Sequence, residues 1–315
     1  MYGRGSFFMD AFKSRYISVF FGILILILLA AYFLNINALQ KPLNLKGEKI
    51  YYVIKDENDK VLMETGIKIY VNDEFIDEHN NHYIITYVKN RTAYAVVKEA
   101  DTAYNSPLIP ASLLIPELAS KNNLVDKRVS IYHTHNDESY ILTSGTAVTA
   151  GDGDIVKVGS SLQDCLEKAH INVTHSLNNH GPHDINAYHR SRRTAVALVR
   201  EGPDILIDIH RDSAPKKAYW ASINGVEVAK VMIVVGRSNP NMQTNLEFAR
   251  NVKAAADELH PGLMRGIFIG KGDYNQDLYP TALLFEVGTD ELSLSMANKG
   301  VHCLGDALIS ILQKS

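Results

Sequence analysis

In residues 129–139, VSIYHTHNDES, a short β-branched and aromatic run ends abruptly in His133, His135, Asp137 and Glu138. Such a run reads as a buried strand, so side chains able to bind a metal would leave its end together. Neutral imidazole nitrogen and carboxylate oxygen are the usual non-sulfur ligands of zinc. Two later apolar runs end in the same way: ILIDIH closes on His210 and LLFE closes on Glu286. The chemistry to expect is that of a zinc hydrolase.

His135 and Glu138 stand in H-x-x-E spacing, and a turn at a strand end can fold both toward one ion. His210 as third ligand would leave zinc one open position, the arrangement of catalytic sites. Glu286 is the candidate general base, taking a proton from water and passing it to a leaving amine. His133 stands in the same cluster as an alternative ligand, a support behind the ligands or a substrate contact. Arg211 could place positive charge at a tetrahedral oxyanion or pair with a carboxylate such as Asp212. His180-Gly181-Pro182-His183 has loop chemistry and could line a cleft. There is no H-E-x-x-H, G-x-S-x-G, P-loop or dinucleotide fingerprint. His133-Thr134-His135-Asn136-Asp137 also resembles the H-x-H-x-D opening of dinuclear metallo-β-lactamase-type hydrolases, but Glu138 stands where that pattern has histidine.

The elements that must position these residues follow from periodicity. From residue 128 onward strands and helices alternate, with strands expected at 128–133, 171–175, 205–209, 231–235 and 282–286. Helices are expected at 155–169, 187–200, 244–260 and 296–313. This alternation predicts an α/β fold with a mainly parallel sheet, whose sites lie at the carboxyl ends of strands. All three ligand-bearing runs end that way. Residues 37–99 begin with a short polar linker and then carry alternating strand-like runs separated by turn residues, which predicts a small β-rich module. Residues 100–127 contain Ser106-Pro107, Ile109-Pro110 and Ile115-Pro116 and read as a linker, leaving 128–315 as the catalytic domain.

Residues 17–36 carry no charge, the length a helix needs to cross roughly 30 Å of hydrocarbon. Arg4, Lys13 and Arg15 precede them, so the positive-inside rule leaves residues 1–16 cytoplasmic and exports the rest. A retained anchor is favoured over a cleaved signal peptide, because the apolar run is long and no small-x-small cleavage site follows it. A chain of 315 residues, 46% hydrophobic, holds one large core and a smaller module. With a formal charge of −3 and no basic stripe interleaved with aromatics, nucleic-acid binding is not expected. Cys165 and Cys303 read as two small buried hydrophobes, with one bridge open to them outside the cytoplasm.

The segments IYHTHNDESY, HDINAYHRSR, LIDIHRDS and LLFEVGT, in this order, resemble the stage II sporulation protein P family of endospore-forming bacteria. The resemblance is close from residue 128 to the C-terminus and loose over the β module. It implies an amidase- and carboxypeptidase-like fold, a Zn²⁺ cofactor and the activity of an N-acetylmuramoyl-L-alanine amidase, with endopeptidase cleavage of cross-links beside it. The family's histidine ligands fall on His135 and His210, its carboxylate ligand on Glu138 or Asp154, and its catalytic glutamate on Glu286. Arg190 matches a family arginine that helps hold substrate or a loop. The resemblance further implies peptidoglycan as substrate and stage II sporulation proteins D and M as partners. It places the domain outside the cytoplasm, on the mother-cell side of the septum, in wall degradation during engulfment. A zinc carboxypeptidase trimming stem peptides and a catalytically inert wall scaffold are the competing expectations.

Overall fold

A computed structural model describes residues 50–98, 124–184 and 186–314. The expected anchor at 17–36 and nearly all of the expected linker lie outside these. Among the described residues no helix is long and apolar enough to cross a membrane.

Five short strands open the described chain: β1 (Tyr52–Lys55), β2 (Val61–Thr65), β3 (Glu74–Asp77), β4 (His82–Lys89) and β5 (Thr92–Val97). Their turns use Asp59, Asn72, Asn80 and Asn90 in the left-handed region, which short polar side chains tolerate best after glycine. After residue 124 come β6 (Arg128–Tyr132), helix α1 (Asp154–Lys168), β7 (Asn172–His175), helix α2 (Ala187–Val199) and β8 (Ile205–Asp212). Then follow the hairpin β9 (Trp220–Ile223) and β10 (Val226–Ala229), β11 (Val231–Gly236), helix α3 (Met242–Leu259), β12 (Met264–Gly270), β13 (Ala282–Thr289) and helix α4 (Leu294–Lys314). These four helices start and stop within a few residues of expectation, because each has an apolar stripe at helical spacing; a one-turn helix at Ile141–Ser144 was not expected.

Eleven strands form one sheet in the order β2-β1-β5-β4-β3-β12-β11-β13-β8-β6-β7. This corrects the expectation of a mainly parallel sheet: six of the eleven described strand pairings, the β9–β10 hairpin included, are antiparallel and five are parallel. Hairpin turns among β1–β5 force antiparallel neighbours, and β13 runs against β11. The strands of the expected β module also join the larger sheet directly, since β3 pairs with β12.

Strands β8, β11, β12 and β13 are buried along their whole length, as expected of central strands covered on both faces. On β8, Ile205, Ile207 and Ile209 enter the main core, which also takes Leu162 of α1, Val252 of α3 and Leu304 of α4. Leu206 enters a smaller cluster with Tyr132 and with Ala195 and Leu198 of α2. Because strand side chains alternate, Asp208, His210 and Asp212 share the face of Leu206, the one that α2 covers.

Candidate metal centre

Three chain segments meet at the carboxyl ends of β6, β8 and β13. After β6, residues 134–137 turn, and the Glu138 N–H donates to the His135 carbonyl at 3.2 Å, which folds the two ligand candidates together. Strand β8 lies parallel to both β6 and β13, with Tyr132 beside Asp208 and His210 beside Glu286. The ligand atoms of His135, Glu138 and His210 all lie within 4.8 Å of one another. Nδ1 of His135 is 3.4 Å from Glu138 Oε1, and Nδ1 of His210 is 3.6 Å from Oε2. The two imidazole rings meet nearly at right angles, with centroids 5.0 Å apart.

The neighbours fix these atoms. Asp208 accepts from the Thr134 N–H at 2.8 Å and from its hydroxyl at 2.6 Å, pinning the turn after β6 to β8. Its Oδ1 lies 3.0 Å from His210 Nε2, placing a carboxylate behind the histidine as metal-binding histidines usually have. The Arg211 backbone N–H donates to Glu138 Oε2 at 2.9 Å. Gly153 lets the chain cross the ligand turn: a Cβ there would stand 2.1 Å from the Glu138 carbonyl oxygen.

Electrostatics favour a cation. Burial pulls the His135 pKa below its ordinary value, which keeps a lone pair free. Burial opposes charge on His210 as well, but Asp208 and Glu138 outweigh it and hold that pKa well above the usual range. The same negative field suits a divalent ion at His210 Nδ1. Burial would raise the Glu138 pKa, yet the neighbouring histidines and Arg211 carry it well below the carboxylate range. Two imidazole nitrogens and an ionised carboxylate, converging within one ion's reach, fit zinc.

Glu286 is buried, and its Oε2 has no hydrogen-bond partner among the described residues. Burial and then the charge of Asp212 hold its pKa well above the ordinary carboxylate value. A buried carboxylate without a donor is costly, and a role in proton transfer accounts for it.

Other expected residues lie elsewhere. His133 faces away from the cluster: its Nδ1 is 3.0 Å from the Ile209 carbonyl and its Nε2 is 2.8 Å from His175 Nε2. Burial and the neighbouring His175 push its pKa down to about 3. Asp154 opens α1 and accepts from the Tyr140 N–H, the Ser144 hydroxyl and the Lys157 ammonium. The Arg211 guanidinium donates to the Ser139 and Ala147 carbonyls at 3.2 and 2.6 Å. It therefore clamps the loop after Glu138, and strand alternation turns it away from the face of His210. Arg190 donates to the His180 and Pro182 carbonyls and to Asp184, so it holds the His180–Asp184 loop. Cys165 and Cys303 are not bonded to each other.

Two side chains at the site went unmarked in the sequence. Tyr188 sets its ring edge against His135, centroids 5.6 Å apart, and lies nearly parallel to His210 at 6.3 Å. Tyr274 packs on Tyr188 at 5.5 Å. An aromatic on the first turn of a helix is usually core, so only the fold reveals such a placement. His183, from the loop expected to line the cleft, stacks on His135 at 3.9 Å.

A family profile described as Stage II sporulation protein P (SpoIIP) matches residues 33–309. Stage II sporulation protein P of Bacillus subtilis (strain 168) is 31% identical over 206 residues, 59% of this chain and 51% of that protein. The chain thus matches about half the length of that curated relative. Among solved structures, the chain is similar to the apo form of the N-acetylmuramyl-L-alanine amidase Ami1 from Mycobacterium abscessus. The identity is 13% and the TM-score 0.42, over 59% of this chain and 99% of that one. It is similar also to the CwlD amidase from Clostridioides difficile in complex with the GerS lipoprotein, at 10% identity and a TM-score of 0.42, over 60% of this chain and 98% of that one.

Proposed function

This chain belongs to the stage II sporulation protein P family, and we propose that it is a zinc-dependent peptidoglycan hydrolase. Its reaction in this reading is that of an N-acetylmuramoyl-L-alanine amidase, cutting the lactyl–L-alanine amide between glycan and stem peptide. Endopeptidase cleavage of cross-links is a second activity of the same site. The observation that carries the reading is the meeting of His135, Glu138 and His210 within 4.8 Å, with Glu286 in register beside His210 on the neighbouring strand.

His135 Nδ1, Glu138 and His210 Nδ1 would hold the metal, with the Asp208 carboxylate 3.0 Å behind His210 Nε2. Zinc, when bound, supplies Lewis-acid activation of water and of the amide carbonyl. Glu286 takes the proton of the attacking water on its carboxylate. Its raised proton affinity keeps that proton until the amine nitrogen leaves with it.

The uncharged run at 17–36 supports an anchor, with the catalytic residues outside the cytoplasm on the mother-cell side of the septum. Peptidoglycan is met there, during septal wall degradation and engulfment, beside stage II sporulation proteins D and M. The test digests purified cross-linked sacculi with the full chain in detergent and zinc. Intact stem peptides and free lactyl carboxylates are expected as products. Single amino acids would instead mark a stem-trimming carboxypeptidase, and undigested sacculi a non-catalytic scaffold.

A further inference from the structure

Tyr188 packs at the edge of the main core and also against the candidate metal cluster. It lies on the first turn of α2, half-buried, with its ring against both histidines of the candidate metal cluster. Its hydroxyl has no hydrogen-bond partner among the described residues. Its backbone, by contrast, is tightly held. The Tyr188 carbonyl accepts from the Ser191 hydroxyl at 3.2 Å and from the Asn275 side-chain amide at 3.4 Å. That amide also donates to Ser191 Oγ at 3.1 Å. The ring is braced from the other side by Tyr274.

Tyr274 and Asn275 are consecutive non-glycine residues in the left-handed region, with φ of 49° and 58°. Backbone in that region is strained for most residues other than glycine and persists where the surroundings over-determine it, often at functional sites. Here it aims one side chain at the Tyr188 ring and the other at the Tyr188 carbonyl. A donor fixed in place before the reaction, beside the ligands of an electrophile, suits the charge that develops on a carbonyl oxygen in amide hydrolysis. A phenol is protonated at neutral pH and can donate.

We propose that Tyr188 is a further catalytic residue: its hydroxyl, carried on a ring and backbone that the Tyr274–Asn275 turn braces, donates a hydrogen bond to the oxygen of the scissile amide as that oxygen gains negative charge. This rests on the hydrolase reading above. The donor carries no covalent step and keeps its proton throughout. It offers a donor on the face of His210, from which the Arg211 guanidinium is turned away.

The test is Tyr188→Phe in the full zinc-loaded chain, since this change keeps the ring and removes only the hydroxyl. The expected kcat on sacculi falls about 10²- to 10³-fold, as when one oxyanion donor is lost. Zinc content and melting temperature are unchanged. The Kd of a phosphinate analogue of the muramoyl–L-alanine linkage weakens in parallel. Binding of uncleaved muropeptide, compared between Glu286→Gln and the double variant Glu286→Gln/Tyr188→Phe, stays the same. A Tyr188→Phe rate within about twofold of wild type would overturn the proposal, and so would loss of zinc, which would make the ring a packing support for the ligands. Should that variant melt early, monofluorotyrosine at position 188, assayed at mildly acidic pH where its phenol stays protonated, keeps both ring and hydroxyl; recovery of most of the rate supports the role, and no recovery overturns it. A wild-type chain that binds zinc but releases nothing from sacculi would instead overturn the hydrolase reading, and this role with it.

Discussion

Glu286 Oε2 is buried without a donor beside two negative groups, Asp212 and Glu138. A structural carboxylate in such a place would cost stability and return nothing, whereas a proton carrier needs the raised affinity that this environment creates. Glu286→Gln keeps the shape and removes the titration. It is expected to retain zinc while hydrolysis of sacculi falls by about 10²- to 10⁴-fold, the usual contribution of a general base. Metal analysis beside dye release from labelled sacculi checks this, and an undiminished rate would remove Glu286 from the mechanism. His210 and Glu286 were legible because each closes an apolar run, and His135 and Glu138 because they follow one in H-x-x-E spacing; strand ends converge in a sheet of this kind. The roles of Arg211 and Tyr188 were not legible. One depends on which face of β8 a side chain takes, the other on a turn far away in sequence.

At the level of elements, the ligand turn depends on the chain passing directly over it. Gly153 caps α1 at the point where a Cβ would stand 2.6 Å from the Asp137 carbonyl as well as 2.1 Å from that of Glu138. Both atoms are backbone, so neither can swing aside. Gly153→Ala is therefore expected to displace Glu138 and weaken zinc affinity by about 10- to 100-fold, the scale seen when support behind a metal ligand is lost. Competition against a chelating dye measures it, and an unchanged Kd would show that the turn tolerates the shift. Helices were legible in the sequence almost to the residue because amphipathic spacing persists over many turns. Strand β12, MRGIFIG, was not, since Arg265, Gly266 and Gly270 interrupt its apolar run. Nor was the β9–β10 hairpin, although its Asn224-Gly225 turn, with φ of 52° and 79°, is a strong hairpin signal.

Across the whole molecule, the joining of β1–β5 to the larger sheet was invisible in the sequence, because the β3–β12 pairing is made by backbone atoms that every residue carries. A side-chain tie reinforces it: Asp212, at the end of β8, accepts from the Gly66 N–H at 2.7 Å and from the Tyr219 hydroxyl at 2.9 Å. The residue that helps tune Glu286 thus also anchors the loop after β2. The metal cluster is equally a product of the complete fold. Glu138 and His210 are distant in sequence and meet only once β6 and β8 are paired, so binding of a metal by this cluster would be coupled to folding. The most direct test is a zinc titration of the full chain and of its His135→Ala and His210→Ala variants, followed by calorimetric melting. One zinc per wild-type chain, with a raised melting temperature and loss of both effects in each variant, is the predicted result. Zinc content and melting shift unchanged in the two variants would contradict the site.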